Sequence, residues 1–348
     1  MSDTNPCEIP VERSGLVSVR KLLLFVFAGV VIYLLMILYG EIGRIASALS
    51  VIPWWWVVPA ILVLSFLNYI IRYVKWQYFL RRIDVNLRHL ESFSVFLAGF
   101  TLTVSPGKIG EVIKGYFCNQ LKGTPIAKVV PVVVSERVTD LLAMVLLAMM
   151  GFLLGFNTGN ELITIIGLGG LVFFGALVLS RRSLYNRLIK RMTSFGPLKR
   201  FQSSCDMIED TMVRTLAPRP MLVSTTISVP GWFMECIELW ILLGLLTGTG
   251  LPSLAPESLL LLVHATFIHS AASVIGALVF TPGGLIGYEA SSIALMQVLL
   301  GLTEAVASVA TILIRLATLW FSVVVGFVAL AAVERLHRQG ELLSVQQA

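Results

Sequence analysis

The sequence predicts an all-α polytopic membrane protein with about six to eight full spans, two re-entrant hairpins and an inverted-topology repeat. Three observations carry that expectation. Apolar residues come in long runs, among them Leu22 to Tyr39, Trp54 to Ile71, Leu141 to Gly155 and Ser322 to Val333, and a helix needs about 20 mostly apolar residues to cross a bilayer. Charged residues make up only 13% of the chain and mean hydropathy is +0.87, against roughly 25% charged residues in soluble domains. Two Pro-Gly breaks interrupt apolar segments, at Pro106-Gly107 and Pro282-Gly283.

The elements follow in order. Residues 1–21 are polar and mixed in charge, and no small-residue cleavage site follows the first apolar run, so an uncleaved anchor is expected from Leu22. This span ends near Gly40, and a second returns from Trp54 to about Val74, its Trp54-Trp55-Trp56 cluster suiting an interfacial belt. The apolar segment Phe93 to Val104 is too short to cross and runs into Ser105-Pro106-Gly107-Lys108-Ile109-Gly110-Glu111, then Lys114. Both flanks are basic, so a hairpin entering from the cytoplasmic side is expected. Non-helical backbone at depth requires surrounding protein or a water-filled cavity.

Ile126 to Gly155 then crosses outward with Glu136, Arg137 and Asp140, and a return span ends at Ser180. The basic stretch from Arg181 to Arg219 is the largest polar piece and too small for an enzymatic domain. Met221 to Leu246 carries a Pro230-Gly231 kink and places Glu235 and Glu238 one turn apart. Leu259 to Phe280 leads into Thr281-Pro282-Gly283-Gly284-Leu285-Ile286-Gly287-Tyr288-Glu289, a hairpin expected to enter from outside. Ala290 to Leu300 leads out again, and the last span, Val306 to Val333, carries Arg315. The organisation is thus a single membrane domain over 22–333, with halves 22–180 and 221–333 joined by the basic loop 181–220, and a cytoplasmic tail over 334–348.

Net charge is +6, and 23 of the 26 Lys and Arg residues fall in segments placed inside. Basic loops stay cytoplasmic, so both termini are expected there, in a bacterial inner membrane. The charge has no nucleic-acid motif beside it; topology and attraction to anionic lipid heads account for it. Four cysteines (Cys7, Cys118, Cys205, Cys236) lack paired spacing, and His264 and His269 point about 140° apart on a helix. No metal or cofactor is expected.

The halves correspond. Ser105-Pro106-Gly107 answers Thr281-Pro282-Gly283, each followed by a glutamate, and the interval from Glu111 to Arg137 equals that from Glu289 to Arg315, 26 positions in each. Duplicated halves of opposite topology with broken helices near mid-membrane are the pattern of alternating-access transporters. Ionisable residues inside spans are functional candidates because burying them is costly. The expected substrate-binding set is Ser105, Pro106, Gly107, Lys108, Gly110, Glu111, Lys114, Glu136, Arg137, Asp140, Glu238, Thr281, Pro282, Gly283, Gly284, Glu289 and Arg315. An arginine grips a phosphate in two places, half-helices starting after the Pro-Gly breaks would offer free N–H groups, and glycines let a head group approach. The plainer alternative is that the arginines merely neutralise these carboxylates and lock the fold.

The run Ser105 to Tyr116, the segment Ser135-Glu136-Arg137-Val138-Thr139-Asp140 and Thr281-Pro282-Gly283-Gly284 with Glu289 resemble the flippase-like membrane region of lysylphosphatidylglycerol synthases. Arg72 with Trp76, and Arg315 with Trp320, fit the same resemblance, which extends from about Leu22 to Val333. It implies lipid translocation, the hairpins and their Glu/Arg partners lying near the path. Related stand-alone proteins are linked to hopanoid or archaeal glycolipid pathways. One departure is Ile286, where the resemblance places a glycine. Another is that no aminoacyl-transfer domain follows Val333, so synthesis of an aminoacylated lipid is not expected of this chain alone.

The leading expectation is therefore a transporter, not an enzyme, moving a phospholipid, hopanoid or polyprenyl-linked glycolipid, with a separate lipid-modifying enzyme as a candidate partner. A membrane-embedded head-group transferase is the alternative, though no nucleophile–base constellation stands out. A small-solute carrier is the third reading. No Walker-type loop is present, so coupling falls to protons on the carboxylates or to the lipid's own gradient.

Overall fold

The computed structural model describes residues 42–105, 109–155, 205–279 and 281–347, together with Val31. Most of the first apolar run, the tip Pro106-Gly107-Lys108, the return span ending at Ser180 and most of the basic loop lie outside the described residues. Among the described residues there are helices and turns and no strand. In order these are α1 (Ile42–Ser50), α2 (Trp54–Arg82), α3 (His89–Ala98), α4 (Ile113–Lys122), α5 (Ile126–Gly155) and α6 (Cys205–Leu216). The chain continues through α7 (Pro218–Leu246), α8 (Pro256–Leu278), α9 (Gly287–Leu300), α10 (Glu304–Arg315) and α11 (Phe321–Gln347).

Among the described residues five helices are long and apolar enough to cross a membrane: α2, α5, α7, α8 and the helix over Glu304–Gln339. The chain is a multi-pass membrane protein. Pro218 and Pro256 open α7 and α8 at the position where a missing N–H costs nothing. Large apolar side chains such as Trp55, Leu154, Leu222, Val298 and Val328 are exposed. Facing water they would form sticky patches; facing acyl chains they are at home.

The first break is a pair of short helices. α3 tightens into a 3₁₀ turn over Gly99–Leu102, and a second 3₁₀ turn over Ile109–Val112 leads into α4. Each α-helical arm is 10 residues, roughly 15 Å at 1.5 Å per residue, half the hydrocarbon thickness. Gly326 on α11 lets the turn after α3 pack closely: a Cβ there would lie 2.8 Å from the carbonyl carbon of Phe100.

The second break is less symmetric than the first. Its leading arm, α8, is itself a spanning helix of 23 residues, because nothing interrupts the apolar run before Leu278, whereas α9 has 14. The last helix departs from a plain span too. Arg315 ends α10, a π-helical turn covers Leu316–Trp320, and α11 continues the same course. Such a turn frees carbonyls from regular pairing and is common beside functional sites.

Two apolar cores organise the bundle. One gathers Leu239, Leu242, Ala265, Met296 and Ala310 from α7 to α10 around Ile61 of α2. The other gathers Trp76 and Phe79 of α2 with Phe96, Phe100, Val129 and Val132. α2 belongs by sequence to the first half but joins both cores, and the polar site lies along its length between them.

Candidate functional site

Ser65, Asn68, Arg72 and Lys75 are all buried on α2, spaced three, four and three residues apart so that they stack on one helix face. Their carboxylate partners are Glu238 for Ser65, Glu235 for Asn68, and Asp140 for Arg72 and Lys75. Asp140 on α5 receives Lys75 in a very close ion pair, with Ser228 Oγ and Trp232 Nε1 each donating to its Oδ1 at 3.0 Å. Its other oxygen faces Arg137 Nη2 at 3.3 Å and Arg72 Nη2 at 3.7 Å. Next to it, Arg137 pairs with Glu111 at 3.2 Å, and Lys114 bridges Glu111 at 3.3 Å and Glu136 at 3.0 Å. In this cluster four cations face three carboxylates, one positive charge in surplus.

A similar pair lies at the second break. Arg315 Nε donates to Glu289 Oε1 at 2.8 Å and its Nη2 to the carbonyl of Gly283 at 2.6 Å. The equal Glu-to-Arg interval in the sequence is therefore realised twice as an ion pair. The Ser/Thr of each Pro-Gly break also closes its own loop. Ser105 Oγ accepts from Gly110 N at 2.7 Å, and Thr281 Oγ1 donates to Leu285 O at 2.6 Å.

The second loop is built on left-handed backbone. Gly283 and Gly284 have φ of +62° and +71°, and Ile286 has φ of +72°. Glycine occupies this region freely, but a β-branched residue does so under strain. The departure at Ile286 thus puts a cost into the backbone. Ile286 is exposed, so Ile286→Gly removes little packing. Relief of about 1–3 kcal/mol of strain should outweigh roughly 0.5–1 kcal/mol of added chain entropy. The variant is expected to raise Tm in detergent; an unchanged or lower Tm would show that the loop is not strained.

A cavity of about 300 Å³ opens between the breaks. Of the residues expected from sequence, Glu111, Arg137, Asp140, Thr281, Gly283, Gly284 and Arg315 line it. Lys114, Glu136, Glu238 and Glu289 are buried outside its lining. Ser105, Gly110 and Pro282 shape the loops outside the lining, and Pro106, Gly107 and Lys108 lie outside the described residues. The expected N–H anion site differs as well. α9 begins at Gly287, after the turn, and its first turn is occupied by Glu289.

Sequence reasoning missed several lining groups. Arg72 lines the cavity, and Lys75, like Lys114, is buried outside its lining. Arg72 is held between the rings of Phe100 and Trp232, each centroid 5.3 Å from its guanidinium carbon. Its Nε has no hydrogen-bond partner among the described residues. Glu235, rather than Glu238, faces the cavity together with His269 and Tyr288. Two signals were available: Ser65, Asn68, Arg72 and Lys75 form one polar stripe at helical spacing, and the resemblance had picked out Arg72 with Trp76.

No curated protein and no solved structure matches the chain. The family comparison does match, over residues 26–326, a stretch holding both breaks, both Glu/Arg pairs and the whole cavity lining. By that match the chain belongs to the family described as the lysylphosphatidylglycerol synthase TM region.

Proposed function

We propose that the protein is a flippase that moves an anionic or isoprenoid-linked lipid between leaflets, its head group passing through the cavity between the two breaks. One observation carries this reading. Arg72 is fixed between two aromatic rings at a cavity wall with an unused N–H. A guanidinium so held is preorganised for a planar, bidentate grip on phosphate. Arg137 and Arg315 reach the same cavity from the two halves, and apolar side chains such as Phe100, Leu141 and Met144 complete its walls. That combination suits a charged head whose tails stay in lipid. The twin Glu/Arg pairs support an inverted repeat, and with it alternating access.

The direct test is leaflet exchange in proteoliposomes with fluorescent anionic and zwitterionic lipids, comparing the wild type with Glu111→Gln and Arg315→Ala. Head-selective exchange that both substitutions abolish in protein that still elutes as a folded species, at a lowered Tm because each breaks a buried pair from one side, is the expected result. Conversion of a labelled lipid to a new species on a thin-layer plate, without exchange, would replace this reading with a head-group transferase.

A further inference from the structure

A second buried network adjoins the arginine cavity and contains acids without cations. Glu235 and Glu238 are 5% and 0% exposed on α7, and among the described residues no Lys or Arg lies within ion-pair range of either. Glu235 accepts from Asn68 Nδ2 at 2.7 Å and meets His269 Nε2 at 3.1 Å; the other ring nitrogen of His269 meets Tyr288 OH at 2.9 Å. Glu238 Oε1 lies 2.9 Å from Ser65 Oγ, which also lies 2.9 Å from the carbonyl oxygen of Ala317.

The hydrogen count is decisive at Ser65. A hydroxyl has one proton to donate, so it cannot serve a carboxylate and a carbonyl together. With Glu238 protonated, the acid donates to Ser65 and Ser65 donates to Ala317, so both contacts at Ser65 are satisfied. With Glu238 ionised, one of the two acceptors goes unserved in a buried site. Two carboxylates one turn apart with no cation also favour a shared proton over two charges.

We propose that Glu235, Glu238 and His269 form a proton-binding site that couples the lipid path to a proton gradient. The proposal rests on the transport reading above. Its connection to the path is structural. Ala317 belongs to the π-helical turn that follows Arg315, and Thr318 and Leu319 of the same turn line the cavity. Loss of the Glu238 proton draws the Ser65 hydrogen to the carboxylate and leaves the Ala317 carbonyl without it, so the turn that follows Arg315 registers the protonation state. On the other branch, a protonated His269 would donate from both ring nitrogens, to Glu235 and to Tyr288 OH, each already within hydrogen-bond distance.

Other charged or titratable groups facing this network are few. α2 contributes Tyr69 and Arg72, α7 Cys236, α9 Tyr288 and Glu289, and α10 Arg315. α5 faces it with Ala143, Met144 and Leu147, while its Asp140 is taken by Lys75 and Trp232. Arg72 and Arg315 are committed to the cavity and to Glu289.

Two measurements on the full chain decide the proposal. Infrared spectra in H₂O and D₂O should show a protonated-carboxyl stretch near neutral pH that Glu238→Gln removes and Ser65→Ala keeps; its absence from the wild type would overturn the site. In proteoliposomes, an imposed pH gradient should drive net lipid movement whose direction reverses with the gradient. Glu238→Gln and Ser65→Ala should each lose at least tenfold of the response to the gradient, measured against the same variant's own exchange without one. A response of wild-type size in Glu238→Gln would overturn the coupling. A wild type that exchanges no lipid would fail the transport reading and the coupling with it, while the infrared band still decides whether the proton site exists.

Discussion

Arg72→Ala is expected to lower lipid exchange by roughly 30-fold or more while the protein remains folded. The fold should survive because Arg72 approaches Asp140 only at 3.7 Å, and Asp140 keeps Lys75, Arg137, Ser228 and Trp232. Activity should not, since truncating one partner of a desolvated charge pair costs about 2–5 kcal/mol, and each 1.4 kcal/mol is about tenfold. Arg72→Lys is the informative control. It keeps the charge but not the planar fork that fits between Phe100 and Trp232, so it should rescue little. Exchange in Arg72→Ala at the wild-type rate would remove the central support for the anion reading. Full rescue by lysine would reduce the residue to a point charge.

The second large effect is on stability. Asp140→Ala leaves Lys75, Arg72 and Arg137 without their common acceptor in a dry interior. Breaking a buried pair from one side costs about 3–5 kcal/mol, whereas replacing both partners with apolar groups is often neutral. Asp140→Ala should therefore collapse Tm in detergent, and the double variant Lys75→Met with Asp140→Leu should recover much of the loss. Equal damage in single and double variants would mean that Asp140 is needed for packing or for Ser228 and Trp232, not for neutralising Lys75. Neither variant is expected to transport lipid.

How much of this was legible can be judged at particular residues. The 26-position interval announced Glu111–Arg137 and Glu289–Arg315, and both pairs meet at 3.2 Å and 2.8 Å. The i, i+3 relation of Arg137 and Asp140 is likewise a contact, at 3.3 Å. Lys75 was not legible as a site residue, and Arg72 only through the resemblance. A basic residue at the end of an apolar run reads as a topological marker, and only its burial against another helix shows otherwise. Glu235 and Glu238 could not be ranked either, because residues one turn apart share a face within about 60°, and which of them meets the cavity depends on how α7 is rotated against α2 and α8.

The sequence by itself determined what local composition dictates: helices in place of strands, their approximate limits, the two Pro-Gly breaks, and the family to which the chain belongs. Those follow from hydropathy, from the lack of a proline N–H, and from intervals counted along one chain. Only the tertiary structure decided which charges are neutralised and which remain available. Asp140 is satisfied by groups from α2 and α7, Arg72 owes its fixed pose to Phe100 and Trp232, and Glu238 depends on Ser65. A buried charge is controlled by its neighbours within a few ångströms, and in a helical bundle those neighbours come from distant parts of the chain.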